Sequence, residues 1–447
     1  MRLGSPSQIP LVPVAFLVAF FLWFMHDGAT VGWTSDDPMN LYMYWKPGLG
    51  KVLESNIVFW NGFYRPAGGL FYLPIYAVAH MNPTPFRWTM CALIGLNTFL
   101  VYRFALRLSE SAHVAWLACL FACVHGGLAD LVYNTSSIYD VLAVLFSLLA
   151  LLSYVNRHLT VALACMIVAI NTKEIAATLP AFFLLYEVLF GPPSRIRYNS
   201  IFSFAALAIA ALAMYGKMHG ESAMTANEAY RPIFSFARWL DANAAYTGAI
   251  LYQPDMPAAP AVGVWIVMGL IAGFSRSRVM AWALGVVLLS TIPISFIPKR
   301  LGGSLYLPLI GWAIWFGAFF NSLISKIPGR AGYRILASAA IALAFWYLTA
   351  YEFTGKGDAW RATQGTDNQV LKKLEDFPYR PPHGKRILFT GSPYNDVYDL
   401  VFLSNLVWND RTLDIHDANV EAGRGLDQSS FDIVIGFTNN GLEVLKQ

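Results

Sequence analysis

Five short stretches place ionisable side chains beside apolar runs: T-S-D-D-P at 34–38, N-G-F-Y-R-P at 61–66, V-H-G-G-L-A-D at 124–130, N-T-K-E-I-A-A at 171–177 and P-K-R-L-G-G-S-L-Y at 298–306. Charges at membrane depth are costly unless they line a wet cavity and find partners. The signs are mixed, which orientation in a bilayer alone does not require. Carboxylates can take a proton from an acceptor hydroxyl. Arginine and lysine can hold a phosphate and stabilise it as a leaving group. With an apolar groove for a lipid, the set suits sugar transfer from a lipid-linked phosphate donor. Each stretch also has a purely structural reading. D-D-P can cap a helix or form a turn, Arg65 can be an interfacial arginine beside Tyr64, Lys173 can snorkel from a solvated loop, and Arg300 can be a headgroup-level loop charge.

The elements that must position these residues follow from composition. The chain has 447 residues, 56% hydrophobic and only 13% charged, against about 25% charged in an ordinary soluble domain. This implies a polytopic α-helical membrane protein. The formal charge of +4 reflects loop lysines and arginines and offers no nucleic-acid surface. Cys91, Cys119, Cys123 and Cys165 all lie inside apolar runs and read as small buried hydrophobes, not as disulfide or zinc ligands.

A bilayer core needs about 20 helical residues. The apolar runs predict eleven spans: Ile9–His26, Phe86–Leu106, Ala112–Val124, Ile138–Val155, Leu159–Asn171, Ile175–Phe190, Ile201–Tyr215, Pro260–Phe274, Val279–Ile297, Leu305–Leu323 and Ile335–Tyr351. Ala67–Met81 is also apolar and is read as a juxtamembrane or re-entrant segment, the alternative being a twelfth span. With that choice one side receives Arg103 and Arg107, Arg157, Arg195 and Arg197, Arg276 and Arg278, then Lys326, Arg330 and Arg334. Short basic loops mark the cytoplasm. The N-terminus is then cytoplasmic, and the expected location is a bacterial inner membrane with the tail in the periplasm. Leu159–Glu187 as one helix would be about 44 Å long, too long for a bilayer, so the chain must turn back at Lys173-Glu174. The five charged stretches all fall on the outer side.

The outer face also owns a large first loop, Asp27–Pro85, and a second, Gly216–Ala259, whose amphipathic Trp239–Tyr252 reads as an interfacial helix or a lid. After Tyr351 the composition turns polar. Arg386–Thr390, Thr412–Ile415 and Phe431–Phe437 read as strands and Tyr398–Trp408 as a helix, a small α/β domain. The division is 1–352 for the membrane part and 353–447 for the tail. Gly391 lacks a G-x-G-x-x-G context and is given no nucleotide role.

In order along the chain, D-D at 36–37, Y-R-P at 64–66, L-F-A-C-V-H at 120–125 followed by Asp130, Y-D-V-L-A at 139–143, T-K-E-I-A-A-T-L-P-A-F-F-L-L-Y-E at 172–187 and L-Y-L-P-L-I-G at 305–311 resemble the GT-C type integral-membrane glycosyltransferases. The pattern is most similar to the transmembrane O-mannosyltransferases that carry tetratricopeptide repeats. The likeness covers roughly residues 10–325; the repeats are absent, and the family's histidine-and-glutamate run after the third span is here H-G-G-L-A-D. The resemblance implies a GT-C-like fold with a large first outer loop, a polyprenyl-phosphate sugar donor, and a glycan, lipid or protein acceptor. It implies that Asp36 or its neighbour Asp37 is the catalytic base, and that Arg65, Lys173 and Arg300 hold the donor phosphate. Glu174 would orient Lys173, Asp130 would be a second acidic group, and His125 would be a helix-end hydrogen bonder. A divalent cation stays open; Asp37 and Asp130 are the carboxylates that would bind it. Rival readings are a lipid-linked glycan polymerase or ligase of the same architecture, a lipid-sugar transporter, and an inactive relative whose tail binds a partner.

Overall fold

The computed structural model describes residues 11–34, 36–58, 62–220, 228–328, 331–395, 398–421, 428–439 and 441–447. Ile9, Ser35, Asn61, Arg330 and residues 221–227 of the second outer loop therefore lie outside the described residues, as do the side chains of Arg195 and Arg197.

The apolar runs fold as helices close to where periodicity and length put them. α1 (Leu11–Ala29), α5 (Pro83–Ser109), α6 (Ala112–Cys123), α8 (Ile138–Val155) and α9 (Leu159–Thr172) form the first half of the bundle; α10 (Leu179–Phe190), α11 (Pro193–His219), α13 (Ala258–Phe274), α14 (Arg278–Ser290), α15 (Tyr306–Ser325) and α16 (Ala331–Thr363) form the second. Among the described residues five helical stretches are long and apolar enough to cross a membrane: 83–109, 135–155, 199–219, 302–325 and 332–362. The other apolar helices are shorter. Boundaries follow local chemistry. Asn82, Ser111, Ser235 and Ser277 each accept a hydrogen bond from the first turn of the helix they precede, satisfying an orphan N–H.

The bundle is held by close backbone approach and by a few polar links. Gly317 of α15 sits where a Cβ would lie 2.8 Å from the Val114 carbonyl of α6; small residues let membrane helices approach this closely. Asn97 of α5 donates to the Val141 carbonyl of α8 at 2.9 Å. At the end of the bundle away from the charged stretches, the fully buried Glu187 accepts from Arg157 at 2.5 Å and Asn199 at 2.8 Å, tying the α8–α9 turn to α10 and α11. Cys91, Cys119 and Cys123 are buried and unpaired, as small hydrophobes would be.

The break expected at Lys173-Glu174 is present. α9 ends at Thr172, Lys173 is extended, and residues 174–178 form a 3-10 turn before α10. The first loop is largely helical: α2 (Asp36–Trp45), α3 (Leu49–Ile57) and α4 (Gly69–Ala79), the last filling the ambiguous Ala67–Met81 segment. A short α7 (Asp130–Tyr133) follows α6, and α12 (Phe236–Ile250) occupies the second loop.

The tail folds as α17 (Gly365–Asp376), α18 (Tyr398–Trp408), a short α19 (Ala418–Glu421) and a four-stranded sheet. The strands are β1 (Arg386–Thr390), β2 (Asp414–Asp417), β3 (Ile433–Thr438) and β4 (Gly441–Lys446), in the order β2-β1-β3-β4. β1 runs parallel to β2 and β3, with Ile387 opposite both Ile415 and Ile433; β4 is antiparallel. Ile387, Leu388, Phe389 and Ile435 are fully buried, each worth about 1.5–3 kcal/mol. β2 starts two residues later than the sequence suggests, because Thr412 is used to bond Asp410. β4 has only the short alternation Leu442-Glu443-Val444 and is completed by its pairing with β3. α17, an element beyond those read from the sequence, packs Val370, Leu371 and Leu374 inward at helical spacing.

Candidate functional site

The connections between helices at one end of the bundle enclose a cavity of about 1290 Å³. Asp36 and Arg65 of the first loop, with Asp130, Lys173 and Arg300 of three further connections, line it. Asp37, Glu174 and His125 do not reach it.

Asp36 opens α2 and is exposed to the cavity. Burial pushes its carboxyl above the ordinary 3.8, and the Arg300 cation partly counters the rise. Asp37 is fully buried. Its Oδ2 accepts from the Thr34 amide at 3.0 Å, the Thr34 hydroxyl at 2.9 Å and Arg87 at 3.0 Å. Successive helix residues point about 100° apart, so the two neighbours face different surroundings, one wet and one dry.

Arg65 precedes a 3-10 turn at Pro66–Gly68. Its guanidinium grips Glu174 in a fork, Nη2 to Oε1 at 2.8 Å and Nε to Oε2 at 3.2 Å, and lies 5.4 Å from the Tyr139 ring. Burial would raise the Glu174 carboxyl, but Arg65 and Lys173 bring it down to about 2. Lys217 of α11 donates to the Tyr64 carbonyl at 2.6 Å and so fixes this loop from behind. Tyr44 donates to the Arg65 carbonyl at 2.6 Å, joining the loop to α2, and Tyr139 of α8 donates to Asn40 at 2.8 Å, joining α8 to α2.

Lys173 meets both oxygens of Asp140, at 2.6 and 2.7 Å, and the Ser304 hydroxyl at 3.0 Å. Both charged side chains are less than a tenth exposed. Arg300 lies over the Tyr230 ring at 4.4 Å; among the described residues its guanidinium has no carboxylate within salt-bridge distance, whereas Arg65 and Lys173 each hold one. Asp130 accepts from the Trp360 indole at 3.2 Å. Gly302, at φ 64°, leaves room for it: a Cβ there would lie 1.7 Å from Asp130 Oδ2. His125 is buried with its ring stacked on Tyr252 at 4.6 Å. Its Nδ1 accepts from the Gly127 amide at 3.1 Å, which leaves Nε2–H to donate to the Ile250 carbonyl at 3.1 Å. Burial lowers its pKa to about 3, so it is a neutral ring joining two backbone segments.

Among the described residues no three His, Cys, Asp or Glu side chains cluster as metal ligands. Asp37 and Asp130 occupy separate settings, one against Arg87 and one against Trp360 at the cavity wall. Sequence reasoning gave no role to Arg87, Asp140, Ser304 or Trp360. A charge within an apolar run is a general flag for function, and it applies to Arg87 and Asp140. Ser304 and Trp360 carry no such flag.

No protein-family model and no curated protein matches the sequence. Among solved structures the chain is similar to that of ArnT from Cupriavidus metallidurans bound to undecaprenyl phosphate, with a TM-score of 0.54 and 12% identity over 98% of this chain and 94% of that one. At this identity the likeness is one of fold, and it runs through both the helical bundle and the tail. The apolar helices and this fold make the chain an integral membrane protein.

Proposed function

We propose that the protein is a GT-C type glycosyltransferase that moves a hexose or pentose from a polyprenyl-phosphate donor to a hydroxyl acceptor on the extracytoplasmic face. The observation that carries the reading is the cavity where Asp36 and Arg300 face the same space with Arg65 and Lys173 in its wall. A fold shared with a protein solved with a polyprenyl phosphate supports a donor of that class.

In this reading Asp36 takes the proton from the acceptor hydroxyl. Its raised pKa makes it a better base than an ordinary aspartate. Asp37 is the weaker choice, because it is fully buried outside the cavity with its Oδ2 held by Arg87 and Thr34. Arg300 meets the departing phosphate directly, while Arg65 and Lys173, each held in place by a carboxylate, supply fixed N–H donors in the wall. The acceptor oxygen attacks the anomeric carbon opposite the phosphate, the C–O bond to phosphate breaks, and the configuration inverts in one step. Eleven spans, a cytoplasmic N-terminus, a periplasmic tail after residue 352 and a bacterial inner membrane complete the proposal. The basic loops and the placement of the cavity at one end of the bundle support that orientation.

The test is transfer by the purified protein from polyprenyl-phosphate hexose or pentose. Normal turnover by a variant carrying both Asp36→Asn and Asp37→Asn ends the assignment.

A further inference from the structure

The segment that leads into α2 is gripped by the C-terminal unit. Asn368 of α17 makes two reciprocal hydrogen bonds with the main chain of Trp33: the Trp33 amide donates to Oδ1 at 3.1 Å and Nδ2 donates to the Trp33 carbonyl at 3.1 Å. Gln364 accepts from the Gly32 amide at 3.2 Å. A Cβ at Gly32 would lie 2.5 Å from Asn368 Oδ1, so any side chain there would displace the carboxamide. Trp33 itself is fully buried, its indole donating to the Met81 carbonyl at 2.7 Å. From the bundle side, Arg87 donates to the Gly32 carbonyl at 2.6 Å. Further along α2, Phe402 of α18 packs on Tyr42 at 4.9 Å, and Arg411 covers the Trp45 ring at 5.1 Å.

α2 has ten residues, and helices below about 12–15 residues are marginal by themselves. Its direction must be imposed by what holds its ends. An apolar residue at 368 would serve the packing of α17 as well as asparagine does. The carboxamide pairs an acceptor and a donor with the N–H and C=O of one residue, as a neighbouring β-strand would, and its Nδ2 also donates to the Gln364 carbonyl one turn back, at the N-cap of α17, at 2.7 Å. That residue, Trp33, lies three positions before Asp36.

We propose that Asn368 is a positioning residue for Asp36, and that the C-terminal unit sets the entry of α2 into the cavity. The inference rests on the reading of Asp36 as the base.

The experiment uses the full-length protein in detergent, as wild type, Asn368→Ala, Gly32→Ala and the double variant. Amide hydrogen exchange over residues 31–45 reads the grip without any substrate. Transfer kinetics and their pH profile read its consequence. Both single variants are expected to exchange faster over this segment and to lose kcat by roughly ten- to a hundred-fold, the scale of a misplacement near 1 Å. The donor KM is expected to change little, and the acid limb of the pH profile to move. The double variant should match the singles, not multiply their losses, because both act through one contact. Asn368→Asp, which keeps the acceptor for the Trp33 amide, should fall between and gives the reading if alanine disrupts folding. Unchanged exchange in Asn368→Ala, or faster exchange with undiminished kcat, overturns the positioning role alone. A wild-type protein that transfers from no polyprenyl-phosphate sugar overturns the transferase reading with it, while its exchange data still report whether the grip exists.

Discussion

Neutralising the two adjacent aspartates one at a time should produce opposite profiles. Asp36 faces the cavity, so Asp36→Asn should leave stability within about 0.5 kcal/mol of wild type. General base catalysis contributes about 10²–10⁴-fold, and turnover should fall by that factor. Asp37 is fully buried and is the ionic partner of Arg87, which is only 2% exposed. Asp37→Asn leaves that guanidinium buried without its counter-charge, a change that costs about 3–5 kcal/mol. The assay pairs unfolding in detergent with single-turnover transfer from a polyprenyl-phosphate sugar. Asp36→Asn with wild-type turnover would refute the base assignment. Asp37→Asn that is as stable as wild type yet inactive would refute the division of roles between the two.

Three further outcomes follow from the same geometry. Arg300→Gln removes the cation that counters the burial-driven rise at Asp36, so the acid limb of kcat/KM should move to higher pH; an unmoved limb means that Asp36 does not set it. Glu174 is held at about 2 against an ordinary 4.5, so its pairing with Arg65 contributes stability that is complete above pH 4.5 and lost as pH falls towards 2. Glu174→Gln should flatten stability measured across that window, while lowering stability at neutral pH because Arg65 loses its partner. Gly302→Ala should cost about 1–2 kcal/mol for a left-handed backbone at a residue with a Cβ and also push Asp130 away from Trp360; the check is unfolding together with turnover, which should fall.

Much of the architecture was legible because it depends on local pattern. Apolar runs of about a bilayer's thickness mark helices wherever they occur, and α8 and α18 fall on the boundaries their sequences suggest. The turn at Lys173 was forced by length alone. The tail strands β1 and β3 show as short β-branched and aromatic runs; α17 has its own amphipathic spacing at Val370, Leu371 and Leu374, whereas the alternation in β4 is limited to Leu442-Glu443-Val444 and its pairing with β3 completes the strand.

The site divides in the same way. Which connections carry charge, and of which sign, is already plain from the order of residues, since a charged residue next to an apolar run is visible without knowing its neighbours. Who pairs with whom depends on the folded chain. Arg65 joins Glu174 across 109 positions and Trp33 joins Asn368 across 335, distances over which composition and periodicity say nothing. It also decided which of two adjacent aspartates is wet, because the outcome turns on a rotation of about 100° along a helix whose orientation is fixed by Arg87, Thr34 and the C-terminal unit, all outside α2.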